Sequence, residues 1–384
     1  MRCVIAIDSF KGSLSSIEAG EAVATGVRRA IPSAETCVRP LADGGEGTVD
    51  ALVRGMGGEF ASVEVAGPLG APVKCGYGIV DGATCVLEMA AAAGLPLVPQ
   101  SKRNPLVATT YGVGEAIRDA LARGCRRFVV GIGGSATNDG GAGMLQALGY
   151  RLLDADGNDL PRGGAALARL AKIDVSGVPP ELGQSVFKIA CDVSNPLCGP
   201  NGASAVFGPQ KGATPEMVAE LDAALAHFAE ISGGDATAQG SGAAGGLGFA
   251  FKTFLGGELV SGVDLVLSET RLEDYVGKSD VVVTGEGRLD AQTAMGKAPI
   301  GVAKLAKRHG KPVLAFAGCV TPDAGVVNAH GIDAFFPCLR TVVTLEEAMD
   351  GSAAAANVAA TAEQAFRLFA ACGGTRGSER EVVA

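Results

Sequence analysis

Residues 1–12 read MRCVIAIDSFKG and residues 280–290 read DVVVTGEGRLD. Each is a short β-branched run that stops in glycine, serine or threonine, and charged side chains. A strand covered on both faces is apolar throughout, and the chain turns polar where it leaves the sheet toward a ligand crevice. The flanking sequence repeats this form. After the strand Cys3–Ile7 comes helical period over Ser15–Ala30, with cap candidates among Ser13 to Ser16. Cys37–Leu41 reads as a second strand, and a second helix starts at Thr48–Val53. At the other end, Asp280–Thr284 reads as a strand, Gly285–Thr293 as a polar loop and Ile300–Arg308 as a helix. Pro312–Phe316 and Ala334–Phe336 are further strands, Leu345–Ala371 holds the closing helices, and Gly373–Ala384 is a frayed tail.

From about Ala61 the pattern changes. Ser62–Val65, Val73–Ile79 and Thr84–Glu88 are split by turns such as Gly67-Pro68 and Asp81-Gly82, which predicts an antiparallel meander. Tyr111–Leu121 and Met217–Ile231 read as helices, and Arg127–Ile132 and Val186–Cys191 as buried strands. The glycine-rich loop Gly133–Gly141 leads into a helix over Ala142–Leu148. The expected organisation is α/β. One parallel-sheet domain, residues 1–65 and 276–384, is interrupted by an inserted domain, residues 66–275, with the ligand site in the cleft between them.

The chain has 384 residues, 47% apolar and 19% charged, which suits two globular domains. Its net charge of −9 disfavours nucleic acid or an anionic membrane as the main partner. No run of about 18 apolar residues occurs, so no membrane helix is expected. The start lacks the form of a signal peptide. The ten cysteines show no Cys-x-x-Cys pair or zinc spacing, and several lie in apolar runs. Reduced, buried thiols and a cytoplasmic location follow. The 57 glycines follow no collagen-like period and gather at the ends of apolar runs.

Two segments match a dinucleotide fingerprint. Gly240–Gly245 follows polar sequence and lacks the preceding strand. Gly131–Ala136 does follow a strand, with Asp154 and Asp156 about 20 residues on, but Asn138–Gly141 interrupts the helix that should come next. No P-loop is present. What remains is a polar, glycine-rich loop after each of five strands, holding Asp8, Ser9 and Lys11; Asp43 and Glu46; Ser135, Thr137, Asn138 and Asp139; Asp192, Ser194 and Asn195; and Glu286, Arg288 and Asp290. Any one of these is more often a turn residue or a solvated charge. Five together supply backbone N–H groups for anions, carboxylate oxygens for Mg²⁺ and cations for phosphate or carboxylate. Phosphoryl transfer needs these parts. His227, His309 and His330 have no partner spacing and read as structural.

Six segments carry a resemblance: Asp8–Ser15, Pro40–Thr48, Gly131–Gly141, Cys191–Leu197, Phe207–Ala213 and Thr284–Asp290. In this order along nearly the whole chain, they resemble the bacterial type I glycerate kinases without departure. The resemblance implies an ATP- and Mg²⁺-dependent kinase acting on D-glycerate, usually giving 2-phosphoglycerate, with some members described as 3-kinases. It also implies a Rossmann-like domain with a second α/β domain inserted.

Chemistry then suggests roles. Lys11 or Arg288 would hold the glycerate carboxylate, with Asp8, Ser9 and Asn138 as further substrate contacts. Asp192, or failing it Asp290, would be the general base. Gly133, Gly134, Ser135, Thr137, Gly140 and Gly141 would cradle phosphates. Asp43, Glu46 and Glu286 are candidates for Mg²⁺ or its waters. The partners expected are small molecules, for a monomer or homodimer. Two other readings stay open: a nicotinamide-dependent oxidoreductase of small hydroxy acids, resting on Gly131–Ala136, and a non-catalytic module that closes on an organic acid.

Overall fold

The computed structural model describes residues 1–42, 44 and 47–373. The chain divides into two compact units. One comprises Met1–Asp43, Asp50–Met56 and Val263–Ala384, and the other Gly44–Val49 and Gly57–Gly262.

The first unit is built on a five-stranded sheet in the order Ala334–Pro337, Val313–Val320, Val281–Leu289, Arg2–Ile5, Glu35–Val38, with every neighbouring pair parallel. Alternate residues of its strands feed two cores. Cys3, Ile5, Val281, Val283 and Phe316 face Val23, Val27, Val358 and Phe366. Val4, Val282, Val313 and Ala315 face Ile300, Val302 and Leu305. Burial on both faces is why these strands lack polar alternation. The helix Ser16–Ala30 starts at a capping box between Ser15 and Glu18. It lies so close to the helix Gly351–Ala371 that a Cβ on Gly26 would fall 2.2 Å from the Ala359 carbonyl oxygen.

One strand is longer than its sequence suggests. Gly285–Leu289 continues the strand that starts at Val281 and pairs Glu286 with Ala317 and Arg288 with Cys319. The strand passes only because Gly285 has φ +155°, where a Cβ would sit 1.8 Å from the Phe316 carbonyl oxygen. Backbone pairing thus carries Glu286 and Arg288 on a rigid element where a loop was expected.

The second unit holds a six-stranded sheet in the order Glu258–Val260, Val186–Ala190, Arg127–Gly131, Thr84–Glu88, Pro72–Val80, Glu59–Ala66. The first four strands are parallel. The last two form the antiparallel meander. A separate ribbon pairs Arg151–Leu153 with Lys172–Asp174. The core stacks Phe128 on Phe187 at 4.7 Å between ring centroids. The strand Glu59–Ala66 pairs within this unit along its length, whereas Val263, Leu272 and Val276 pack in the first. The long second-unit segment thus runs from Gly57 to Gly262, and the short segment Gly44–Val49 groups with it. Among the described residues no helix is long and apolar enough to cross a membrane. All ten cysteines are unbridged.

Candidate active site

In the first unit, the segment after the strand Arg2–Ile5, the C-terminal ends of the strands Val281–Leu289 and Val313–Val320 and the residues after Ala334–Pro337 line a cavity of about 660 Å³. After Ile5 the backbone stays beside the neighbouring strand, with the Asp8 amide donating to the Gly285 carbonyl at 2.9 Å. The Ser9 amide donates to Asp8 Oδ1 at 2.7 Å. Phe10 and Leu14 close a tight loop through reciprocal amide–carbonyl bonds of 2.8 and 3.0 Å. Lys11 stands exposed at the tip of that loop and has no ion pair among the described residues. Ser13 Oγ, also in the cavity wall, is buried without a hydrogen-bond partner among the described residues.

The Val281–Leu289 strand presents Glu286 and Arg288 to the same cavity, and Asp290 follows directly. Glu286 is only 9% exposed. It accepts a 2.6 Å hydrogen bond from the Thr293 hydroxyl and lies 3.6 Å from Lys297 Nζ. Burial raises the Glu286 carboxyl above its ordinary range, while the Thr293 hydroxyl and the Lys297 ammonium act the other way. Asp290 Oδ1 accepts the Gln292 amide at 2.9 Å and the Thr293 amide at 3.3 Å. Its other oxygen is 3.3 Å from Arg288 Nε, and Lys297 Nζ is 3.8 Å from Oδ1. Asp8, Ser9, Lys11, Glu286, Arg288 and Asp290, distant in sequence, thus share one cavity.

Sequence reasoning missed Lys297 and Thr293. A signal existed. Lys297 is the N-cap of the helix Ala298–Arg308 and makes no side-chain cap. A cation at the positive end of a helix is electrostatically disfavoured, which is a reason to look for carboxylates nearby.

The loop Gly133–Gly141 belongs to the second unit and is organised differently. Gly133 and Gly134 are exposed, whereas Ser135 to Gly141 are buried. Asp139 Oδ2 accepts the Thr110 amide at 2.7 Å, the Thr110 hydroxyl at 2.9 Å and the Gly143 amide at 3.2 Å. Its Oδ1 accepts the Gly141 amide at 3.1 Å. The Gly140 amide donates to the Gly245 carbonyl at 2.9 Å. The amides of Gly140 and Gly141 are therefore already bonded inside the unit, and Thr137 is wholly buried. The part of the loop open to a phosphate narrows to Gly133 and Gly134. Fully buried Lys211 donates from Nζ to the Thr137 carbonyl at 2.6 Å. Burial pushes its ammonium down to about 7, with Asp139 opposing, and burial likewise raises Asp139. Asn138 is enclosed too, donating from Nδ2 to Ser204 Oγ at 2.9 Å.

Asp192 follows the strand Val186–Ala190 in the second unit, is exposed, and accepts the Gly262 amide on Oδ1 at 2.9 Å. Asp43 and Glu46 lie outside the described residues. Among the described residues no group of three His, Cys, Asp or Glu side chains gathers around a common metal position. His227 faces the Leu170 carbonyl and His309 faces Glu273. Asp154 is a turn residue, accepting the Asp156 and Asn158 amides, and the helix after the Gly131–Ala136 match is buried and only six residues long. The nicotinamide reading is not supported by these features.

Comparison with known proteins gives the same direction. The family model for the glycerate kinase family matches residues 3–370. The chain is 51% identical over 376 residues to a Haemophilus influenzae protein named glycerate kinase, covering 96% of this chain and 99% of that one. It is 50% identical over 372 residues to the Escherichia coli protein named glycerate 2-kinase, covering 94% and 98%. A crystal structure from Salmonella typhimurium LT2, described as a glycerate kinase 2, superposes with a TM-score of 0.90 at 48% identity, covering 97% of this chain and 99% of that one. A match over this share of the chain, on a sheet that gathers these charged loops, means that the chain belongs to the glycerate kinase family.

Proposed function

We propose that this enzyme transfers the γ-phosphoryl group of ATP to a hydroxyl of D-glycerate, giving 2-phosphoglycerate. The observation that carries the reading is the cavity of the first unit, where Lys11, Arg288 and Lys297 meet Asp8, Glu286 and Asp290 at the ends of parallel strands. Arg288 or Lys11 suits the glycerate carboxylate. Asp290 accepts the proton of the attacking hydroxyl as its oxygen bonds to phosphorus and the bond to the ADP oxygen breaks. Asp192, in the other unit, is the rival base. Exposed Gly133 and Gly134 offer backbone amides to phosphate.

The carboxylates also fit Mg²⁺. That ion is usually held by one or two carboxylates together with substrate phosphates and water, so a three-carboxylate cage is not needed. Asp8 and Glu286 would hold it, with Asp43 and Glu46 as the other candidates from sequence; bound there, it would neutralise phosphate charge. The unbridged cysteines suit a reducing cytoplasm.

Coupled ADP-release assays on D-glycerate, L-glycerate, glycolate and lactate test the activity, and phosphorus NMR of the product assigns the hydroxyl. Turnover of D-glycerate alone, with a signal for the 2-phosphate, is the expected result. No turnover on any of the four would overturn the reading.

A further inference from the structure

The first unit's cavity has two chemically different ends. Lys11, Arg288, Asp290 and their neighbours make one. Leu339, Leu345 and Met349, with Asn357, make the other. A three-carbon acid held by the charged end would leave the apolar end unused. At about 660 Å³ the cavity is of a size that takes drug-sized ligands, typically about 300–1,000 Å³. Leu345 is 78% exposed although it stands in the cavity wall. The helix that carries it is held in place by a capping box, in which Thr344 and Glu347 bond each other's backbone amides. An open apolar wall continuous with a cationic end suits a ligand with a flat apolar body and an anionic tail. The Asn357 amide offers a donor and an acceptor, which match the edge of adenine.

Resting on the kinase reading, we propose that this apolar end is the adenine site of ATP, with the base on Leu345 and Met349 beside Asn357 and the phosphates toward Lys11, Arg288 being left to the glycerate carboxylate. The nucleotide then belongs chiefly to the first unit.

The chain has no tryptophan, so Leu345→Trp introduces a single reporter at an exposed position. Its emission should shift or quench on adding ATP or ADP and stay unchanged with D-glycerate alone. Met349→Glu should weaken binding of N-methylanthraniloyl-ADP about tenfold or more, since a carboxylate beside the base must be desolvated. Met349→Leu should bind within about twofold of wild type, and D-glycerate binding by calorimetry should be unchanged in both. Reporter emission indifferent to saturating ATP, or Met349→Glu binding the labelled nucleotide as wild type does, overturns the adenine site while leaving the kinase reading intact. Wild-type protein that neither binds the nucleotide nor turns over glycerate overturns both.

Discussion

In the loop 133–141 the carboxylate of Asp139 is fully buried and accepts four hydrogen bonds from its own unit. In the other unit Asp290 faces Arg288 and Lys297 in the wall of a cavity. Both aspartates follow glycine-rich sequence after an apolar strand, and by composition they are equivalent. The first has been turned inward to hold a loop together. The second is placed where its charge can meet a ligand. The polar character of such a loop therefore says nothing about its use until the packing above it is known.

Substitution at Asp139 should give the largest effect on stability. Asp139→Ala removes an acceptor from four buried donors and the nearby charge that opposes the burial of Lys211; leaving buried donors unsatisfied costs about 1–3 kcal/mol each. Urea unfolding should show that loss, while Asp290→Asn should cost no more than about 1 kcal/mol, the worth of an ordinary hydrogen bond. Equal losses at the two sites would erase the contrast between the units.

Activity should divide the other way. Asp290→Asn should lower kcat by about 10²–10⁴ with ATP binding little changed. The same change at Asp192 should have a smaller effect. If Asp192→Asn abolishes turnover and Asp290→Asn is nearly silent, the base lies in the second unit and the cavity only binds.

Arg288→Ala should raise KM for glycerate more than it lowers kcat. Hydrogen bonds to charged groups contribute about 1.5–3 kcal/mol, so the rise should be roughly ten- to a hundredfold. Unchanged kinetics would mean that Arg288 serves only Asp290.

The smallest expected effect is a pH dependence. Burial lowers Lys211 in the folded state to about 7, whereas the unfolded chain keeps its lysine near 10.5. Between those values the unfolded state binds the extra proton, so stability rises with pH and is flat below the folded value. The difference in unfolding free energy between wild type and Lys211→Met should grow by about 1 kcal/mol from pH 7 to pH 8. Taking the difference removes the cysteines, whose buried thiols change stability in the opposite sense at alkaline pH. A flat difference would mean that Lys211 stays charged in the fold.

Much of the architecture is written locally. The apolar runs at Cys3–Ile7, Arg127–Ile132 and Val186–Cys191 became parallel strands because full burial on both faces leaves no place for polar residues. Ser15 and Glu18 started the first long helix by satisfying each other's amides. The turns after Ala66 and Val80 produced the meander. The charged residues of the cavity, Asp8, Lys11, Arg288 and Asp290, were also legible, because chain ends of parallel strands converge on one edge of the sheet.

Other features depended on partners far away in the chain. Gly285–Leu289 has the composition of a loop, and it is a strand because Val313–Val320 lies beside it. Thr137 to Gly141 looks like a phosphate cradle, but residues 29 and 74 positions away, Thr110 and Lys211, enclose it. Lys297 carries no motif, and its place beside Glu286 and Asp290 follows from where the chain re-enters the sheet. Strand and helix preference arises from neighbouring residues and the burial of a periodic face, so it can be read along the chain. Whether a polar group meets solvent, a ligand or another side chain is set by what packs over it, and local sequence does not encode that.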